Sequence, residues 1–271
     1  GDTDPSTVTA YQPRFTEDEI NTADKGTNWW DLVTRNGIVN NHNISLSAGN
    51  EKLKSFASFS YYDNQGVMEN SSLSRYSSKL NLDWNINQYL RAGMSFLGSV
   101  VNNSNLQIGE GQWESTGMIM SALMYDPTIP VKDSLGNYNI MSWYSNMPNP
   151  VSYTEVDDQT KQTRNLLNVF AEIIPLQNLV IRTALGYDGQ GSVRKTYYPK
   201  TFLYGKLKNG QANIGHLNRD DILFDLTASY DLTADNHKFK FLAGYSFQEF
   251  NDDGYWMNAT DFFTDAFLYN N

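Results

Sequence analysis

The sequence has no cysteine, only 3 histidines, no gathering of lysine and arginine, and no apolar run near the roughly 20 residues of a transmembrane helix. Each shortage removes a class. Without thiols there are neither disulfides nor thiolate metal sites, which suits a cell-envelope protein that uses neither. Without a long apolar run, a helical membrane protein is excluded. Lys+Arg 20 against Asp+Glu 30, a net charge of -10 and no basic stripe exclude nucleic acid, whose phosphates need clustered cations. At 271 residues the chain is long enough for one or two soluble domains, so length excludes nothing further. A mean hydropathy of -0.52 does not count against a β-barrel, because a spanning strand needs only about 9 to 11 residues with every second one apolar.

What is present is alternation. Aromatics make up 14% of the chain, with 17 Tyr against 14 Phe and 6 Trp, a bias toward β-structure. In 222–232, Ile222, Phe224, Leu226, Ala228, Tyr230 and Leu232 share one face and Asp225, Thr227, Ser229 and Asp231 the other. The segment 237–250 repeats this, with Phe239, Phe241, Ala243, Tyr245 and Phe247 opposite Lys238, Lys240, Gly244, Ser246 and Gln248. Only Thr233-Ala234-Asp235-Asn236 separates them, a hairpin turn. Segments 75–86 and 88–100 form a second such pair around a turn near Asn87, and 43–49, 53–62, 163–174 and 179–189 complete about eight strands. In 163–174 the alternation is least clean, because Leu166 and Phe170 fall on the polar face.

The connections alternate as well. Short ones lie near Asn50-Glu51, Asn87, Pro175-Leu176-Gln177-Asn178 and Ala234, and long ones at 63–74, 101–162 and 193–218. Outer-membrane barrels have short periplasmic turns and long extracellular loops, so the long loops are expected outside, with short helices at 15–36 and 111–124 among them. Trp84 and Tyr230 near the short turns, and Tyr61, Tyr76, Tyr187 and Phe247 near the long loops, fit two aromatic girdles. A soluble β-sandwich with one solvated face gives the same alternation, but its strands are usually nearer five or six residues and its loops follow no such rule. The expected fold is all-β: a transmembrane antiparallel β-barrel segment with long extracellular loops.

Residues Gly26 to Ile86 closely resemble the first part of the barrel in SusC/RagA-type TonB-dependent transporters. The markers are Asn41-His42-Asn43 before an alternating strand, Gly49-Asn50-Glu51-Lys52 at a turn, Asp63-Asn64-Gln65-Gly66 after a Tyr pair, and Arg75-Tyr76 leading to Asn81-Leu82-Asp83. Asp126 to Tyr138 resembles the same family, while Ala48 and Ser60 stand where it tends to have glycine. The resemblance implies a larger barrel of about 22 strands. On it, 1–42 is an extracellular loop with a short helix, 43–100 barrel strands, 101–162 a long extracellular loop and 163–271 barrel strands and loops, with the plug domain and TonB-contacting segment expected outside this chain. It further implies import of an oligosaccharide or peptide across the outer membrane of a Bacteroidetes-type bacterium, under a SusD-like surface lipoprotein. The alternatives are a passive channel or adhesin barrel, and a soluble sugar-binding β-domain.

No catalytic constellation accompanies the wall. His42, His216 and His237 have no metal-ligand spacing, and no phosphate loop, nucleophile elbow or Cys-His pairing is present. Glu110 and Glu114, four apart, have the spacing of a carboxylate pair on a solvated loop helix. No enzyme activity, cofactor or metal is expected, although Asp157, Asp158, Asp252 and Asp253 are the oxygens a calcium ion would seek. Candidates for substrate or partner contact are Trp113, Trp143, Tyr144 and Tyr153, aromatics in polar loop surroundings that either stack on a ligand or pack the loop's own core. Arg75, Lys79, Asp83, Arg91, Arg182, Asp225 and Asp231 are expected to face the barrel lumen, since a charge in lipid costs several kcal/mol near the midplane.

Overall fold

The structure, a computed structural model, describes residues 16–22, 26–107 and 117–270. Eight antiparallel strands form one sheet in the order of the sequence. They are β1 (Ile38–Gly49), β2 (Leu53–Gln65), β3 (Ser72–Asn87), β4 (Leu90–Ser104), β5 (Asp157–Leu176), β6 (Leu179–Tyr198), β7 (Gln211–Ala234) and β8 (His237–Thr260). Short helices α1 (Glu17–Thr22), α2 (Trp29–Val33), α3 (Met118–Met124) and α4 (Leu203–Leu207) lie outside the sheet. All eight expected strands are present, and most are longer than the alternation indicated.

The hairpins β1–β2, β3–β4, β5–β6 and β7–β8 turn tightly at one end of the sheet. Asn178 at φ +81° and Asp235 at φ +52° take the left-handed backbone that Asn and Asp tolerate. Pro175, without an N–H to give the ladder, sits where the β5–β6 register shifts between Ile173 and Leu176. At the other end the connections are 66–71, 105–156 and 199–210, shorter than expected because the strands run on into them.

The two faces divide as the alternation requires. Residues paired across an antiparallel ladder share a face, so the register carries one parity through the whole sheet. Ile222, Phe224, Leu226, Ala228 and Tyr230 of β7 lie beside Tyr187, Leu185, Thr183, Ile181 and Leu179 of β6. The same band continues through Leu167 to Ile173 on β5, Leu90 to Phe96 on β4 and Leu80 to Trp84 on β3. On β6 and β7 it runs from Leu179 to Tyr187 and from Ile222 to Tyr230, close to the roughly 9 to 11 residues with which a tilted strand crosses a bilayer. Its side chains are exposed: Leu226 41%, Trp84 50% and Leu185 51%. A sandwich would bury this face under a second sheet, whereas here the buried apolar residues among those described belong to the loops and strand ends, so the soluble alternative fails. No described helix is long and apolar enough to cross a membrane.

Candidate functional site

At the long-loop end, four stretches distant in sequence fold together into a crown. Trp29 and Val33 of α2, Met68 of the β2–β3 loop, Met118, Ala122, Tyr125, Met141, Met147 and Tyr153 of the long loop, and Phe202 before α4 form one buried cluster. Gly26, at φ +76°, starts the first stretch with its Cα against the Pro127 carbonyl; a Cβ there would meet that oxygen at 2.8 Å. Thr27 then donates its N–H to Pro127 O (2.7 Å) and its hydroxyl to Ile129 O (2.8 Å), and Trp29 Nε1 donates to Asp126 O (3.0 Å). The Trp29 ring meets Tyr125 edge-on at 4.7 Å. Arg35 ties down the β2–β3 loop, donating to Gly66 O (3.0 Å) and Ser71 O (2.8 Å). Asn149, almost wholly buried, donates to the carbonyls of Val131 and Asn139 and caps the 3-10 turn Pro150–Glu155.

The crown is anchored to the wall by Asp158, 2% exposed. Arg194 reaches its carboxylate with a bidentate pair of 3.0 and 2.7 Å, while Asn105 (2.7 Å) and Gln107 (2.5 Å) donate from the start of the long loop. The same geometry engages Asp252, held by Arg219 at 2.6 and 2.8 Å. Donors thus occupy the oxygens a calcium ion would take at Asp158 and Asp252, and among the described residues no group of three acidic or histidine side chains converges.

Electrostatics in the crown follow burial. Tyr125, 4% exposed and donating to Asn139 O at 2.7 Å, has its pKa pushed up to about 12 by burial. Burial, and then the Glu155 carboxylate that accepts its hydroxyl at 2.6 Å, also raise Tyr138. Asp133 is held below the usual carboxylate range, chiefly by the Asn137 backbone N–H and side-chain amide.

The aromatic candidates separate. Trp143 and Tyr144 are exposed, at 51% and 36%. Tyr153 is a core residue instead: it is 2% exposed, with its ring edge-on to Phe202 at 5.0 Å, so no ligand reaches it from the surface. Loop composition could not separate it from its neighbours, because the element that covers it lies about fifty residues away. Trp113, Glu110 and Glu114 lie outside the described residues. The histidines stack on tyrosines or lie beside an aromatic ring: His42 on Tyr61, His216 on Tyr255, and His237 near Phe239.

Register places Arg75, Lys79, Asp83, Arg91, Arg182, Asp225 and Asp231 on one face of the sheet, opposite the apolar band. Arg91 holds Asp83 with bonds of 2.9 and 2.6 Å, and Arg75 lies over the Tyr62 ring at 5.5 Å. The two residues that interrupt the alternation of β5, Phe170 and Leu166, have local explanations. Phe170 lies under the Arg182 guanidinium, 4.0 Å from its ring centroid, and faces Gly93, where a Cβ would strike the ring at 2.3 Å. Leu166 pairs with Leu97. Sequence reasoning did not single out the pairs Arg164–Asp188, Arg194–Asp158 and Arg219–Asp252, which continue this face above the band. A depression of about 460 Å³ lies among them, lined by Ser99, Gln162, Arg164, Gln190, Ser192 and Arg219.

No family model matches the chain. It is 25% identical, over 99% of its length, to TonB-dependent receptor P3 of Formosa agariphila, and covers 27% of that protein. It is 28% identical to TonB-dependent receptor SusC of Bacteroides thetaiotaomicron over 50% of its own length and 13% of the relative's. The RagAB peptide transporter superimposes with a TM-score of 0.71 at 20% identity, over 89% of this chain and 27% of that one, a likeness of fold. The chain spans about a quarter of the relatives it matches along most of its length.

Proposed function

We propose that this chain, a wall segment of the SusC/RagA type of TonB-dependent receptor in the outer membrane, serves in energy-coupled import of a nutrient, an oligosaccharide or a peptide. The observation that carries this is the continuous likeness to a TonB-dependent receptor across 99% of the chain, on a sheet with one lipid-suited face and one polar face. In this reading the polar face lines the lumen. Arg75, Lys79, Asp83, Arg91, Arg182, Asp225 and Asp231 solvate it and contact a plug supplied by another part of the polypeptide. The pairing of Arg91 with Asp83, Arg182 with Glu172 and Asp231 with Lys240 favours a structural role there over binding of the passing solute.

The crown then faces the outside, where a SusD-like lipoprotein would sit over it and where Trp143 and Tyr144 offer ring faces to a sugar or to that partner. TonB would engage the part of the receptor that precedes the barrel. The test is uptake of labelled candidate nutrients by cells carrying the intact receptor, with and without TonB, and with Trp143→Ala/Tyr144→Ala. Uptake should vanish without TonB, and the double variant should lower it about tenfold while the protein reaches the membrane in normal amounts. Equal uptake without TonB would make the barrel a passive channel; no uptake of any nutrient in either strain would favour an adhesin.

A further inference from the structure

A second cavity, of about 160 Å³, lies in the crown between the long loop and the β6–β7 loop. Lys132, Lys200 and Lys206 all line it, beside Tyr138, Asn149 and Thr201. Three lysines lining one small space run against a chain of net charge -10. Like charges brought together attract a counter-charge, and among the described residues no carboxylate lies within ion-pair distance of these lysines: the nearby ones keep their charge but turn their oxygens to neutral donors. Glu155 accepts from Tyr138 Oη (2.6 Å) through Oε1 and from the Thr201 hydroxyl through Oε2. Asp133 accepts from the backbone N–H groups of Leu135 (2.9 Å) and Asn137 (2.8 Å). Asp265 accepts from Tyr197 Oη and the Lys200 backbone N–H. Lys132 Nζ lies over the Tyr138 ring at 4.5 Å, and Lys200 Nζ donates to Phe263 O at 3.2 Å. Among the described residues none of the three forms an ion pair.

The geometry points to an anion site: the cavity takes a single oxyanion group, a carboxylate or a sulfate, carried by a soluble ligand that arrives at the loop end. Lysine suits this role because three flexible stems can close on an oxyanion from different sides, each with donors to spare. The cavity has room for one such group and part of its carrier. Transport requires no charge on the solute, so the site stands apart from the import reading.

The test is calorimetric titration of the intact receptor in detergent at low ionic strength, with sodium sulfate, glucuronate and, as neutral control, glucose. Saturable binding is expected for sulfate or glucuronate and not for glucose. It should weaken as salt is added. Lys132→Met/Lys206→Met should weaken it at least tenfold, and Lys206→Met alone several-fold, which covers failure of the double variant to fold. Lys200 is left in place because it also ties Phe263. Absence of binding by both anions to the folded receptor, equal binding of glucose, or unchanged affinity in the folded variants would overturn the site. TonB-dependent uptake of a neutral nutrient is unaffected by any of these outcomes.

Discussion

Replacing Asp158 by alanine should release the crown from the wall without dissolving the wall. The substitution removes four bonds to one carboxylate, two from Arg194 and one each from Asn105 and Gln107. Hydrogen bonds to a charged group contribute roughly 1.5 to 3 kcal/mol each. The Arg194 side chain is 40% exposed and regains water, so the sum is not lost in full. With the two Arg194 bonds largely replaced by water, the Asn105 and Gln107 bonds leave about 3 to 5 kcal/mol. Because β5 keeps its ladders to β4 and β6, the loss should appear as local opening at the base of the long loop. Hydrogen exchange read by mass spectrometry should then quicken by about 10² to 10³-fold in peptides covering 101–107, where Asn105 N–H donates to Asp158 O. Exchange in β7 should not change. Less than about tenfold acceleration in a folded Asp158→Ala protein would refute Asp158 as the anchor.

Two further outcomes follow from the band and from burial. Leu226→Arg, in the middle of the apolar band, should destabilise the receptor in lipid by about 2 to 4 kcal/mol, measured by denaturant titration; unchanged stability would mean the band does not face lipid. Tyr125, whose pKa is raised from 10.0 to about 12, binds its proton more tightly folded than unfolded. Its contribution of about 2 to 3 kcal/mol is therefore complete below pH 10 and lost as the pH rises toward 12. Tyrosinate absorbance should show several groups titrating late, and Tyr125→Phe should remove one of them; a Tyr125 that ionises with the exposed tyrosines would contradict its burial.

How much of this was legible in the sequence depended on what each residue faces. Between Phe224 and Leu232, one apolar and one polar face give strict alternation, and the strand could be read directly. From Gln211 to Asp221 the same strand continues with Ala212, Ile214, His216, Asn218 and Asp220 on the outward face, where no lipid demands apolar side chains. The period-two signal fades there although the ladder does not, which is why β5, β6, β7 and β8 each looked too short. The crown was less legible still, because its core is assembled from residues as far apart as Val33 and Phe202. Tyr153 and Trp143 look alike in sequence, both aromatic and both in a polar loop; only the arrival of Phe202 buries one and leaves the other open. The three cavity lysines lie far apart in sequence, so no local pattern gathers them.

The overhanging strands set a working height. Beyond the apolar band, β7 and β8 continue for about 11 to 13 residues toward the crown, roughly 40 Å along the strand at about 3.3 Å per residue. Tilted as barrel strands are, by about 40°, they lift their ends roughly 30 Å off the hydrocarbon. Trp143, Tyr144 and the lysine-lined cavity are therefore held on a hydrogen-bonded stalk of sheet, well clear of the head groups. On the import reading proposed above, capture and passage are separated in space: a solute is first met in open water, and descends afterwards along a wall of paired charges.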